Sequence, residues 1–287
     1  MKKNLLTIAA MVLCLAACQK NDNTLFLEID PYDNDAKMYI DGEHFAVWNN
    51  GDPVWVEGTT YSLQTVESDK KTAQIHDINL NDYNRVRAVF PGDLVGSGEG
   101  DDITINIPEG QNWNFLTEAY NKIKAPMTGS MDRPGKDEQG KLRFTNLGSV
   151  IELHLKNYNK GEEYRKTISR IEIIDENGGK LAGTYNIKYE YPRSYIAPID
   201  GQTYYNAVSV NCNDKVFPVG TQLTLYAAVA PVKNATITIN VYDDRERKKY
   251  TLTQKGTSRE GTTEFKQNYI HHIEFDFTYE EVDASDF

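Results

Sequence analysis

The chain has 287 residues and a formal net charge of −11 at pH 7, from 31 basic and 42 acidic residues. A surface this acidic argues against nucleic acid and against anionic membrane surfaces as binding partners. The length is sufficient for two ordinary domains or for one large β-domain.

Residues 1–17 have the pattern of a bacterial lipoprotein signal peptide, followed by Cys18. Two lysines precede an apolar stretch at residues 5–13, which is too short to span a bilayer as a helix. The motif Leu15-Ala16-Ala17-Cys18 matches a lipobox, where the cysteine thiol receives lipid such as palmitate and the chain is cut before it. An ordinary signal peptide with a chance cysteine, or a short membrane anchor, is the alternative. The pattern predicts lipidation of Cys18.

A polar, flexible tether is predicted at residues 18–24, between the lipid and the folded part of the chain. Its first residues, Cys18-Gln19-Lys20-Asn21-Asp22, resemble the lysine-plus-acid signals that direct Bacteroidetes lipoproteins to the outer face of the outer membrane. This resemblance implies a lipid-anchored outer-membrane protein at the cell surface.

Apolar and polar residues alternate with a period of two along most of the chain, which is the pattern of half-buried β-strands. The clearest predicted strands are residues 25–29, 103–107, 151–155, 235–241 and 269–279. Only residues 113–124 have the pattern of a helix, and it is short. Because strands recur roughly every ten to fifteen residues with Gly, Asn and Asp between them, an all-β chain of antiparallel sandwiches is predicted.

The composition changes at residues 126–141, which hold two prolines and three glycines and no periodic apolar pattern. We interpret this segment as an exposed loop ahead of a second domain. The predicted organisation is two tandem antiparallel β-sandwiches, at residues 25–141 and 142–287, each of a size usual for a domain.

No pattern in the sequence indicates catalysis, a cofactor or a metal site. A G-x-S-x-G elbow, an H-E-x-x-H pair and a C-x-x-C pair are all missing. Cys212, the one cysteine left after processing at Cys18, is typical of a small packing residue rather than a nucleophile. His271 and His272 are neighbours on a predicted strand, so they face opposite sides of the sheet and cannot chelate one metal together. We expect no enzyme, no cofactor and no metal ligands.

Aromatic residues make up 11% of the chain, and two groups of them could form a platform on which sugars stack. These groups are Trp48 and Trp55 with Tyr61, and Tyr189, Tyr191, Tyr195, Tyr204 and Tyr205. The interpretation that we favour is that these side chains fill cores and strand ends, as Tyr and Trp commonly do in sandwiches.

Several segments resemble a known family through their order and spacing. They are WNNGDPVWV (48–56), YSL (61–63), RAVFPGD (87–93), APMTG (125–129), LRFTNLGSVI (142–151), ISRIEI (168–173), LYAAVAP (225–231) and YIHHIEFDF (269–277). Together they resemble the fimbrillin (Mfa-like) family of Bacteroidetes surface lipoproteins, whose members are similar to two tandem transthyretin-like β-sandwiches. The resemblance implies a pilus subunit, anchor or tip adhesin that assembles when a neighbour's strand completes a sandwich lacking one strand.

The chain departs from the family at its N-terminus. Stalk subunits of the family lose their first strand by cleavage after an arginine, but the first arginine here is Arg85, far inside the fold. A stalk role therefore needs another cleavage site, such as Lys20 or Lys37. An uncleaved lipoprotein fits an anchor or accessory subunit better.

Two strands are predicted to matter for assembly. Their apolar faces hold Leu25, Leu27 and Ile29 in the first, and Tyr269, Ile273, Phe275 and Phe277 in the second. We expect the first strand to stay attached and to complete its own sandwich, and the second to pair with another subunit or to be donated to it. The alternative is that both are ordinary sheet members in a monomer.

The resemblance implies a role in pilus assembly and adhesion, with other fimbrial subunits as partners and with surface glycans or proteins of a host or of bacteria as further candidates. The alternative is a glycan-binding surface lipoprotein that serves nutrient capture. The position of Trp48 and Trp55, on an exposed face or inside the core, separates the two hypotheses.

Overall fold

The structure is a computed structural model. It describes residues 24–29, 48–65, 72–112, 125–132, 141–157, 166–190, 193–217, 220–242, 248–254 and 263–277. The predicted signal peptide, Cys18, most of the tether and the predicted helix at residues 113–124 lie outside this part of the chain. Within it, no helix is both long enough and apolar enough to cross a membrane.

The described residues form strands throughout, which confirms the all-β prediction. The first ten strands are β1 (Thr24–Ile29), β2 (Pro53–Val56), β3 (Thr59–Ser62), β4 (Gln64–Thr65), β5 (Thr72–His76), β6 (Arg85–Phe90), β7 (Val95–Ser97), β8 (Thr104–Ile107), β9 (Gly110–Asn112) and β10 (Met127–Asp132). The others are β11 (Lys141–Asn146), β12 (Ser149–Asn157), β13 (Lys166–Asp175), β14 (Ala182–Lys188), β15 (Tyr195–Pro198), β16 (Tyr204–Tyr205), β17 (Ala207–Phe217), β18 (Gln222–Val229), β19 (Val232–Ala235), β20 (Ile237–Tyr242), β21 (Lys248–Gln254), β22 (Thr263–Phe265) and β23 (Ile270–Phe277). Single 3-10 turns lie at Leu80–Asp82 and Gly92–Leu94.

The largest sheet has eight strands in the order β3-β2-β6-β10-β11-β1-β5-β4. It contributes to a first core, in which Leu25, Leu27, Leu142 and Phe144 are fully buried. The alternation read from the sequence produces this arrangement, because successive residues of a strand point to opposite faces. In β11, for example, the apolar residues are buried while Arg143 between them is exposed.

A second core receives side chains from three further sheets. Their strand orders are β18-β12-β23, β21-β20-β13-β17-β9 and β15-β14-β8-β7, and β16 also pairs with β14. One fully buried residue from each sheet illustrates the packing: Leu153 on β12, Ile173 on β13 and Ile105 on β8. A separate two-stranded ribbon joins β19 to β22.

Strand pairing does not follow the predicted boundary between residues 141 and 142. β11 begins at that boundary, yet it pairs with β1 and β10 in the eight-stranded sheet. In the other direction, β8 pairs with β14 and β9 pairs with β17, so strands from the first half belong to sheets of the second core. Alternation shows which face of a strand is buried, but it does not identify the strand's partner.

The predicted loop at residues 126–141 begins with a strand. β10 pairs with β6 over six residue pairs and with β11 on its other edge. Gly129, which suggested a turn, has another role here: a Cβ at this position would lie 2.6 Å from the carbonyl oxygen of Arg143. Glycine is therefore needed for the close approach of two strands.

Three strand pairs of the described part are parallel, which corrects the prediction of purely antiparallel sandwiches. These pairs are β1 with β11, β12 with β23, and β9 with β17. Parallel partners need long connections, whereas the antiparallel prediction rested on short turns between neighbouring strands. The first and the last described strands along the chain, β1 and β23, each belong to one of these parallel pairs.

Polar side chains connect the eight-stranded sheet to the segments around the second core. The Arg87 guanidinium on β6 lies 3.2 Å from Glu57 Oε1 and 2.6 Å from Asp101 Oδ1. The hydroxyl of Tyr189 lies 3.0 Å from that of Thr128 on β10, and burial raises the pKa of Tyr189 to about 12. Of these contacts, the one between Thr128 and Tyr189 is shielded from water, whereas the Asp101 side chain is 68% exposed.

Candidate functional site

β1 lies inside the eight-stranded sheet, with a partner strand on each edge. It runs antiparallel to β5 and parallel to β11. Leu25 and Leu27 are fully buried, and Ile29 is partly buried against the same core. The one-sided apolar pattern of this strand therefore produces a packed, two-edged sheet member.

β23 has a different position, at the end of its sheet. It pairs in parallel with β12 from Val150↔Ile270 to Asn157↔Phe277, and no described strand pairs with its other edge. Ile273 is buried in the second core, whereas Tyr269 is partly buried and precedes the strand. Phe275 and Phe277 lie on β23, but their side chains are outside the described part.

The start of β23 is attached firmly to the rest of the chain. The Tyr269 carbonyl accepts a hydrogen bond from the Val150 N–H at 2.9 Å, and the Asn268 N–H donates to the Gly148 carbonyl at 2.9 Å. The side-chain amide of Gln267 donates to the carbonyl oxygens of Asn146 at 2.9 Å and of Ser194 at 2.7 Å. These bonds fix the register in which β23 enters the sheet.

The described aromatic residues do not form the platform considered from the sequence, and Tyr191 lies outside the described part of the chain. Trp48 is fully buried in the first core, while Trp55 is 7% exposed and belongs to the second core. The two indoles therefore do not share an exposed face. Tyr195 and Tyr205 are exposed, but they pair with Lys188 and Ala182 at opposite ends of β14, roughly 20 Å apart at the usual rise of a strand.

Cys212 lies in the second core and is fully buried, as the sequence indicated. Burial raises the pKa of its thiol to about 12. Since the thiolate is the reactive form, burial keeps this thiol protonated and unreactive near neutral pH. We expect Ellman's reagent to label the mature protein at Cys212 only after denaturation. Rapid labelling of the folded protein would contradict the burial of this thiol.

A cluster of Glu152, His154 and His272 lies on the sheet formed by β18, β12 and β23. Glu152 and His154 are two residues apart on β12, so they share a face, and His272 is the register partner of Glu152 on β23. The His154 Nε2 lies 2.9 Å from Glu152 Oε1, and the His272 Nδ1 lies 2.8 Å from Glu152 Oε2. One ligand atom from each residue falls within 4.8 Å of the others. Sequence reasoning missed this group.

The surroundings of Glu152 favour its ionised form. Its side chain is 5% exposed, and burial alone would raise its pKa. Contacts with His272, the charge of His154 and a hydrogen bond from Tyr226 at 3.1 Å outweigh burial, so the pKa of Glu152 is lowered. His271, on the opposite face from His272, is buried enough to lower its pKa to about 4. His271 and His272 therefore lie on opposite faces of the sheet, as predicted. The contacts of His272 are with residues of the neighbouring strand β12.

Comparisons with known proteins identify the fold. No family model matches the chain, and no curated protein matches it. Among solved structures, a candidate cell adhesion protein from Bacteroides ovatus is similar over 88% of this chain and 91% of that one, with a TM-score of 0.52 and 11% identity. The chain has the fold of that protein. The resemblance read from the sequence is confirmed at the level of the fold.

Two further solved structures match over most of their length with lower scores. A candidate cell adhesion protein from Bacteroides uniformis has a TM-score of 0.45 and 11% identity, over 88% of this chain and 93% of that one. The tip fimbrial protein Mfa3 from Porphyromonas gingivalis, with a C-terminal truncation, has a TM-score of 0.32 and 11% identity, over 82% and 83% of the two chains.

Proposed function

We propose that the chain is a fimbrillin-type surface lipoprotein that acts as an anchor, accessory or tip subunit in pilus assembly and adhesion. Its fold, shared with a Bacteroides cell adhesion protein over 88% of the chain, supports this proposal. The observation that carries it is the placement of β23, a strand near the chain end with one paired edge and one edge without a described partner.

Assembly by strand complementation follows from that edge. A strand with a free edge presents a row of unpaired N–H and C=O groups, which another chain's strand can match. β23 has eight residues, and β12 and the hydrogen bonds at its start hold it in place. β1, in contrast, is enclosed on both edges and buries two leucines. We therefore assign β1 to the protein's own fold and β23 to contact with a neighbouring subunit.

Two β-sandwich units of the transthyretin type are part of the same proposal. The first is built on the eight-stranded sheet, and the second is built on the three sheets that surround the second core. Each unit then includes strands from both predicted ranges, residues 25–141 and 142–287. β11 from the second range belongs to the first unit, and β7, β8 and β9 from the first range belong to the second unit. Such an exchange would make the two units fold as one body.

Lipid anchoring through Cys18 places the subunit at the outer membrane. We expect Cys18→Ala to release the protein into the soluble fraction, because acyl chains supply the membrane affinity. Cys212→Ala is the matched control, since it removes the buried cysteine and should leave the protein in the membrane fraction. Membrane association of the Cys18→Ala variant would show that the lipobox is not used. Protease treatment of intact cells then separates an outward from an inward orientation.

Contact through β23 can be tested by crosslinking in cells. In a Cys212→Ala background, Glu274→Cys places a thiol on β23, and Thr145→Cys places one on β11, which has a partner on each edge. We expect crosslinks to other subunits from position 274 but not from position 145. If position 274 crosslinks only within its own chain, and deletion of residues 278–287 leaves pili unchanged, this assembly role is wrong.

A further inference from the structure

Three side chains of types that bind metal ions lie close together on one face of the β18-β12-β23 sheet, the face that points away from the second core. Ile151, Leu153 and Leu155 on β12 enter the second core, so the alternate residues Glu152 and His154 face the other way. His272 joins them because the parallel register aligns it with Glu152. We propose that Glu152, His154 and His272 bind one divalent transition-metal ion, with Zn2+ as the best-suited ion.

The donor set selects the class of ion. Two imidazole nitrogens and one carboxylate oxygen suit zinc and its neighbours among the transition metals. Calcium and magnesium prefer shells made of oxygen. Three protein ligands also leave a coordination position for water or for a donor from another molecule. His272 borders that position, since its side chain is 31% exposed.

A buried carboxylate at the centre of the cluster supports the assignment. Glu152 is 3% exposed as a residue, and its Oε2 lies 2.8 Å from the Nδ1 of His272. The other oxygen, Oε1, lies 2.9 Å from the Nε2 of His154 and accepts a hydrogen bond from Tyr226. Buried charges in proteins are paired or coordinate metals, and a cation bound by this carboxylate and the two imidazoles would take the place of the imidazole protons.

Neighbouring side chains hold the ligands in position. The Nδ1 of His154 lies 2.7 Å from Gln222 Nε2 and 3.4 Å from Thr224 Oγ1. When the Nε2 of His154 binds a metal, the ring proton lies on Nδ1, where the Thr224 hydroxyl accepts it. The Gln222 amide, whose nitrogen faces Nδ1 here, must turn over so that its oxygen can accept this proton as well. Partners of this kind are usual around metal-bound histidines, because they fix the tautomer and the ring orientation. Glu152 is fixed in the same way by the Tyr226 hydroxyl.

Only small movements are needed to close the site. Zinc bonds to nitrogen and carboxylate oxygen are about 2.0–2.2 Å long, so ligand atoms around one ion lie roughly 3–3.5 Å apart. The carboxylate oxygens already lie within 2.9 Å of one nitrogen of each imidazole. The two histidines must approach each other, and rotation about their side-chain bonds achieves this while the backbone of β12 and β23 stays paired.

Calorimetric titration of the purified full chain with Zn2+ alone tests the proposal. We expect one saturable site per chain. Glu152→Gln and His272→Gln should each weaken binding by more than the roughly 10–100-fold that loss of an outer partner costs. His76→Gln is the matched control, because it removes an exposed histidine on β5 and should leave the affinity unchanged. Titration with Co2+ should give the visible absorption of a low-coordinate site, lost in the same two variants.

Folding of each variant is checked by circular dichroism, so that loss of binding is not confused with loss of structure. His272→Gln is the more secure variant, since it alters a partly exposed side chain. Absence of saturable Zn2+ binding to the full chain would overturn the proposal. Binding that folded Glu152→Gln and His272→Gln variants retain unchanged would overturn it too, because the ion would then lie elsewhere.

Discussion

Replacement of Trp48 by alanine is expected to lower the free energy of unfolding by about 3–5 kcal/mol, the range found when a buried large aromatic side chain is truncated. Trp48 is fully buried in the first core. Its ring meets those of Phe90 and Phe144 edge-on, with centroid separations of 4.9 and 5.3 Å, and such pairs add to the energy of burial. Alanine would leave a cavity that these two rings cannot fill.

Urea denaturation followed by circular dichroism measures this effect. Tyr205→Ala is the control, because the Tyr205 side chain is exposed and its loss should change stability by no more than about 0.5 kcal/mol. Equal stability of the Trp48→Ala variant and the unaltered chain would place Trp48 on the surface. That result would revive the glycan-binding hypothesis, which needs Trp48 and Trp55 on an exposed face.

Period-two alternation predicted the strands well because it depends only on which face of each strand is buried. Leu25 and Leu27 on β1 are packed as that pattern indicates. The same pattern does not predict which strands pair with each other. β11 pairs with β1, which lies far from it in the sequence, and nothing in residues 141–146 indicates this partner. Composition therefore does not show which strands share a sheet.

The cluster of Glu152, His154 and His272 could likewise be predicted only in part from the sequence. Glu152 and His154 share a face of one strand, which the sequence alone reveals. The third ligand is brought to them only by the parallel register of β12 and β23. His271 and His272 face opposite sides of the sheet, as their adjacency predicts. A ligand from a neighbouring strand cannot be predicted in this way, because adjacency along one strand carries no information about strand pairing.

Deletion of residues 24–29, which form β1, is expected to abolish autonomous folding. β1 buries Leu25 and Leu27, and each leucine contributes about 2–5 kcal/mol in mutational series. Its removal also leaves β5 and β11 without their shared partner, so that backbone groups on both flanks lose their hydrogen bonds. The combined loss is comparable with the whole stability of an ordinary domain, about 5–15 kcal/mol.

A synthetic peptide with the sequence of residues 22–31 should restore the fold when added to the deleted chain, because it returns both the apolar face and the edges that β5 and β11 lack. Recovery is followed by resistance to protease and by tryptophan fluorescence, to which the buried Trp48 contributes. A peptide carrying Leu25→Ser and Leu27→Ser is the control, and it should not restore the fold, since it keeps the backbone but not the apolar face. If the deleted chain proves as stable as the full chain, β1 is dispensable and its place between β5 and β11 is available to a strand from another subunit. Rescue by the first peptide alone would instead show that the groove selects its strand through the two leucines, and that β1 normally occupies it.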